Sequence, residues 1–344
     1  MLQSNIKIVL DGFGGDNAPK EIVLGAIDAV NAFSDIEIVI TGKEEILNEI
    51  IKDSGYAGNR ISVLNANTTI TNDESPTLAI RTKKDSSMVV ALDYILDHEQ
   101  ENIAGFVSAG STGAVLTGAL LKLGRMNGIK RPAIAPLFPN LKNGKTLLID
   151  CGANMDCKPE FLCQFALMGS IYMKKMYGIQ NPKVALLSVG TEDKKGNELT
   201  HSAFELLKEM KSINFVGNME ARDITTGDYD VVVSDGFAGN VALKSSEGMA
   251  KFILKSLKSE ISSGGLGAKI GYLFLKKPFK KLAKTLDYNA IGGSAFLGCK
   301  KVVVKAHGSS DRVAILGSIK LCREIYLNGF LTELDNELKN YNAE

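Results

Sequence analysis

The chain has 344 residues, 45% hydrophobic and 23% charged, the composition of a protein with an extensive buried core and not of a disordered or fibrous one. Its net charge of +1 offers no field to attract nucleic acid, and neither aromatic-rich basic runs nor zinc-finger spacing occurs. Five cysteines, an odd number with no C-x-x-C pair, argue against a disulfide framework or a structural zinc site and fit a reducing, cytoplasmic setting.

The first residues lead at once into a strand-like run at 6–11, without the basic stretch, apolar run and cleavage site of a signal peptide. No segment reaches the roughly 18 apolar residues of a membrane span. Further β-branched runs follow at 36–41, 61–64, 103–108, 134–138, 146–150, 183–188, 231–234 and 302–305. Helical patterns lie between them at 21–33, 44–53, 88–97, 114–125, 160–177, 198–211 and 311–326. This alternation predicts an α/β fold with a mostly parallel, doubly wound sheet, built as one large unit or as two intimate lobes. One stretch departs from it. After a long helix predicted from Asn240, a Ser/Gly-rich break at 262–267 precedes an apolar and then lysine-rich segment at 272–284, so residues 245–290 read as a helical excursion from the body.

In parallel α/β sheets, ligands sit beyond the carboxyl ends of the strands, where helix N-termini present free N–H groups. Six polar, Gly-rich loops follow predicted strands here, beginning at Asp11, Ser108, Asp150, Gly190, Asp235 and His307. The Gly12-x-Gly14 pair lacks the third glycine of a dinucleotide fingerprint, Asn17 standing in its place, and Gly144-Lys145-Thr146 carries Pro139 where a P-loop needs glycine. The loop of Ser108, Gly110, Ser111 and Thr112 reads as a cradle for an oxyanion or phosphate, and in the plainer reading as a helix cap with glycines for tight packing. His307, one of three histidines, follows a strand and precedes a helix, a place suited to a proton carrier or a phosphate ligand. Asp11, Asp16, Asp150, Glu192 and Asp235 are strand-end carboxylates that orient cations, cap helices or accept protons. Lys158 and Lys244 bring positive charge to the same loops. No spaced His/carboxylate set indicates a metal.

The segment 276–284 carries five lysines, among them Lys276, Lys277, Lys280 and Lys281, interleaved with Phe279 and preceded by Leu273 and Phe274. It can lie on an anionic lipid surface, dock an acidic carrier protein, or simply be a solvated helix face.

These loops, in this order, resemble the PlsX phosphate acyltransferases over residues 6–326. The carriers are the Asp11-Gly12-Phe13-Gly14-Gly15-Asp16 run, Ser108 through Ala114, Asp150-Cys151-Gly152-Ala153-Asn154, Gly190-Thr191-Glu192, Gly217-Asn218-Met219-Glu220, Asp235 through Asn240 and Ala306-His307-Gly308-Ser309. Phe13 departs from the family's usual methionine, and Cys151 stands where small or apolar residues are common. The resemblance implies a fold akin to isocitrate and isopropylmalate dehydrogenases and phosphotransacetylases. It also implies a homodimer, reversible contact with the anionic cytoplasmic membrane, and neither a nicotinamide nor any other cofactor. The reaction implied is transfer of a fatty acyl group from acyl-acyl carrier protein to inorganic phosphate, the acyl phosphate feeding phospholipid synthesis. A phosphotransacetylase acting on acyl-coenzyme A is the alternative. On this reading His307, Asp235, Asn240 and Lys244 are catalytic. Asp11, Gly14, Gly15, Asp16, Ser108, Gly110, Ser111, Thr112, Asp150, Asn154, Lys158, Glu192 and Asn218 bind phosphate or substrate.

Overall fold

The computed structural model of the chain describes residues 5–286 and 292–341. The first part runs β1 (Ile6–Asp11), α1 (Lys20–Ala32), β2 (Ile36–Gly42), α2 (Glu44–Asp53), β3 (Ile61–Asn65), α3 (Pro76–Thr82), α4 (Ser87–Asp97), β4 (Ile103–Ser108) and α5 (Thr112–Gly118), which continues as a π-helical turn over Ala119–Leu123. Next come β5 (Ala133–Ala135), β6 (Leu137–Pro139), β7 (Lys145–Ile149), α6 (Pro159–Tyr177), β8 (Lys183–Ser188), α7 (Glu198–Glu209), β9 (Asn214–Glu220) and β10 (Val231–Val233). A long pair of helices, α8 (Gly236–Ser263) and α9 (Leu266–Leu286), precedes β11 (Ser294–Leu297), β12 (Val302–Lys305), α10 (Arg312–Leu327) and α11 (Phe330–Tyr341).

The strands form two sheets, ordered β3-β2-β1-β4-β12-β11-β5 and β6-β7-β10-β8-β9. Only β11 in the first and β6 in the second run against their neighbours. Alternate side chains of β1 enter different cores, Ile8 and Leu10 one and Val9 the other, so the apolar runs are strands covered on both faces. Each core draws residues from both sheets: one joins β1, β2, β7, β8 and β10 under α1, α6 and α10, the other packs α4 and α5. The α/β, mostly parallel, doubly wound expectation is met.

One predicted strand divides. The run 134–138 is broken at Pro136, which has no N–H for the ladder, and the chain steps there from the first sheet to the second. Asp150, the residue after β7, ties the step: its carboxylate accepts the N–H groups of Ile134 on β5 (3.0 Å), Cys151 (2.7 Å) and Asn154 (2.7 Å). The excursion is a helical hairpin, in which α8 buries only Gly236 and Gly239 and then runs out beside α9. No helix among the described residues is long and apolar enough to cross a membrane.

Candidate active site

Register places the carboxyl ends of β1, β4 and β12 level with one another, Lys305 beside Ser108 and Leu10 beside Val107. Those of β7, β8 and β10 are level in the other sheet, Val233 beside Ile149 and Leu186. Between the two edges lies a cavity of about 400 Å³. Thr112, Lys305, His307 and Ser310 reach it from the first sheet, and Cys151, Asn240 and Lys244 from the second. The rest of its wall is largely apolar, with Ile134, Leu137, Phe138, Leu141, Leu243 and Leu282. Glu247 lines it too, beside Lys244, so with Lys305 the polar end keeps a net positive charge against a largely apolar wall.

Close packing of the glycine loops sets this geometry. A Cβ on Gly239 would stand 1.9 Å from the Asp150 carbonyl oxygen, so only glycine lets α8 start against the β7 turn and bring Asn240 and Lys244 to the cavity. Asp235 caps that helix, accepting the Ala238 N–H at 2.7 Å. A Cβ on Gly14 would lie 2.5 Å from the Asp11 carboxylate.

His307 Nδ1 lies 2.8 Å from Ser309 Oγ and 3.3 Å from the Ser309 backbone nitrogen, whose N–H points to it. Burial, with the charges of Lys244 and Lys305, holds its pKa below the ordinary histidine value, so at neutral pH it is an uncharged hydrogen-bond donor. Lys244 pairs with Glu247 at 2.9 Å. Burial pushes the Lys305 ammonium down to about 8, and Lys244 adds to the fall. Burial drives the Cys151 thiol, on the cavity wall, well above its ordinary value, so it is not a thiolate nucleophile at neutral pH.

Residues 6–333 match the protein family described as "Fatty acid synthesis protein". A phosphate acyltransferase of Clostridium beijerinckii is 47% identical over 338 residues, 98% of this chain and 100% of that protein. One of Clostridium tetani is 47% identical over 335 residues, 97% of this chain and 98% of that one. The chain belongs to this phosphate acyltransferase family, the PlsX family. The protein is therefore an enzyme of the acyltransferase class. The fold is also that of solved phosphotransacetylases. The one from Streptococcus pyogenes has a TM-score of 0.60 at 19% identity, covering 93% of this chain and 94% of its own. The one from Staphylococcus aureus has 0.58 at 16%, covering 95% and 94%.

Several polar residues expected at the site hold the enzyme's loops together. Asp11 is buried and accepts from Ser87 Oγ (2.6 Å) and Ser108 Oγ (2.7 Å), while Ser108 Oγ accepts the Gly110 N–H at 3.0 Å. Burial raises the Asp11 carboxyl's pKa against the pull of those hydroxyls. Ser111 caps α5 through the Ala114 N–H. Of the Ser108–Thr112 loop, Thr112 alone lines the cavity. Gly15 takes φ +101°, and the Asp16 N–H donates to the Gly308 carbonyl at 2.7 Å, joining the β1 and β12 loops. Asn154 donates its amide to Asp150 and to the Pro132 carbonyl.

Lys158, Glu192 and Asn218 do not line the cavity. Lys158 is exposed at the start of α6, and Asn218 is buried and donates to the Glu192 carbonyl at 2.9 Å, holding the β8 loop to β9. Sequence reasoning missed Lys305 and Ser310. The signal for the first was a lysine closing the all-aliphatic run Val302-Val303-Val304 at the level of the other loops.

Proposed function

We propose that the enzyme transfers a long-chain fatty acyl group from acyl-acyl carrier protein to inorganic phosphate, giving acyl phosphate for phospholipid synthesis. The observation carrying this reading is the cavity itself, a cationic end joined to an apolar wall. A phosphate suits the one and a fatty chain the other. A phosphate oxygen attacks the thioester carbonyl carbon; the C–O bond forms, the C–S bond breaks, and the proton of hydrogen phosphate ends on the departing thiolate. The protein's work is then to aim phosphate and to stabilise the oxyanion on the carbonyl.

We assign the His307 ring and the Asn240 amide to that oxyanion, with Lys244 balancing charge. The neutral ring favours this donor role over proton delivery to the thiolate. Asp235 acts through α8, whose start it fixes. Asp11, Gly14, Gly15, Asp16, Ser108, Gly110, Ser111, Asp150 and Asn154 shape the two loop edges, Thr112 meets substrate, Lys158 and Glu192 form an outer rim toward the carrier, and buried Asn218 braces the Glu192 loop.

On α9, Leu273 and Phe274 are 68% and 83% exposed, and Lys276, Lys277, Lys280 and Lys281 are exposed after them, with Phe279 stacked on Tyr272. We place this hairpin against anionic lipid, making the enzyme a peripheral protein of the cytoplasmic face. The homodimer implied by the family resemblance belongs to the same proposal.

The test compares donors. A long-chain acyl-acyl carrier protein should exceed acetyl-coenzyme A in kcat/KM by orders of magnitude. Preference for acetyl-coenzyme A would instead make the enzyme a phosphotransacetylase.

A further inference from the structure

The polar end of the cavity contains two groups left without the partners that their burial calls for. Lys305 closes β12 and faces the cavity. Its ammonium donates to the neighbouring Ala306 carbonyl, and among the described residues no carboxylate lies within ion-pair distance of it. Near it, Lys244 opposes its protonation and Asp16 offsets that in part, while His307 is close enough to feel its charge. A largely buried ammonium in such company is costly unless an anion joins it.

The second group is Ser310. It is 2% exposed, lines the same cavity, and its Oγ has no hydrogen-bond partner. Buried hydroxyls are nearly always satisfied, so an orphan hydroxyl in a residue that lines a cavity points to a ligand bound beside it. Ser310 directly precedes Asp311, the cap of the 16-residue α10. Lys305, His307 and Ser310 therefore come from one short turn at one end of one cavity.

We propose that Lys305 and Ser310, together with His307, form the seat of the attacking phosphate. Lys305 supplies the counter-charge, Ser310 Oγ donates to one phosphate oxygen, and His307 stands between phosphate and the thioester carbonyl. This rests on the phosphate acyl transfer proposed above. It moves the phosphate from the Ser108–Thr112 loop, whose two serine hydroxyls are already engaged, to the β12–α10 turn.

A second phosphate group enters this reaction, the phosphodiester of the donor's prosthetic arm, and kinetics separate the two. In thiol-release assays on the full-length enzyme, Lys305→Met should raise KM for inorganic phosphate on the order of 10- to 100-fold, and Ser310→Ala somewhat less, with KM for the acyl donor near wild type. Lys305→Met should also melt no lower than wild type in phosphate-free buffer, because it removes a buried charge lacking a counter-ion. Lys320→Met, on an exposed lysine paired with Glu324, is the control. A rise in donor KM alone would assign the cation to the donor's phosphodiester and overturn the proposal. So would a wild-type phosphate KM in both variants, or a lower melting temperature with unchanged kinetics. If Lys305→Met does not fold, Ser310→Ala decides by the same split. If wild-type thiol release ignores phosphate, the acyl-transfer reading fails first and the seat fails with it.

Discussion

At the scale of single residues, the chemistry depends on keeping charge at one end of the cavity without cancelling it. Lys305 is a useful cation only while protonated, and burial with Lys244 beside it has brought its pKa down to about 8. The charged form lies below that value, so phosphate binding should be full near neutrality and fade as pH climbs through about 8. Asp16 softens the effect, and His307, its own pKa held down, is already neutral there. In a pH profile of kcat/KM for phosphate, which reports the free enzyme, the alkaline limb should fall near that pH. Lys305→Arg should carry it upward, since a guanidinium stays charged. A profile flat beyond pH 9 in the wild type would show that no group with a pKa of about 8 is needed.

Residue identities also show what was legible in the sequence. The loops at Asp11, Ser108, Asp150, Asp235 and His307 are visible as Gly-rich runs after aliphatic ones, because strand-end loops have a local signature. Which members face ligand and which face each other is not local. Ser108 meets Asp11 from 97 positions away, and that contact turns a candidate phosphate ligand into a loop brace. Ser310 attracted no notice because its distinguishing property, a buried hydroxyl without a partner, exists only in the packed chain.

At the scale of elements, the decisive joint is the crossing between sheets. Pro136 splits an aliphatic run that reads as one strand, since periodicity reports burial and not which sheet supplies the neighbours. Asp150 then clamps the crossing by holding the β5 N–H and its own turn together, with Asn154 donating twice. Asp150→Ala should cost on the order of 3 kcal/mol in urea unfolding, because several buried N–H donors lose their acceptor together. A loss below about 0.5 kcal/mol, the range of ordinary surface substitutions, would mean that the clamp carries no weight. The break between α8 and α9 was legible from its Ser/Gly run, while residues 287–290 of the expected excursion lie outside the described residues. The residues that seat the hairpin, Gly236 and Gly239, were legible as a motif but not as the reason α8 can touch the β7 turn.

At the scale of the whole molecule, the two sheets and the hairpin divide the labour. The sheet edges enclose the polar chemistry, and Leu282 brings α9 to the wall of the same cavity that Lys305 enters. The outward side of the hairpin shows Phe252 and Ile253 on α8 and Ile270, Leu273 and Phe274 on α9, all at least 47% exposed. Apolar exposure of this extent beside a lysine cluster suits an anionic bilayer, where each lysine contributes ~1 kcal/mol. Leu273→Glu with Phe274→Glu should weaken sedimentation with phosphatidylglycerol vesicles by at least roughly tenfold, since two apolar side chains contribute ~1.5–3 kcal/mol each when buried. Unchanged sedimentation would remove the hairpin from the lipid surface and leave carrier docking or subunit contact as its use.

Whether the cavity joins an acyl group to phosphate is decided by following thiol release from palmitoyl-acyl carrier protein with and without inorganic phosphate, while hydroxylamine traps any acyl phosphate. Acyl transfer to phosphate requires release that saturates with phosphate and is matched mole for mole by trapped product. Release at the same rate without phosphate would make the enzyme a thioesterase and rule out acyl transfer to phosphate in this cavity.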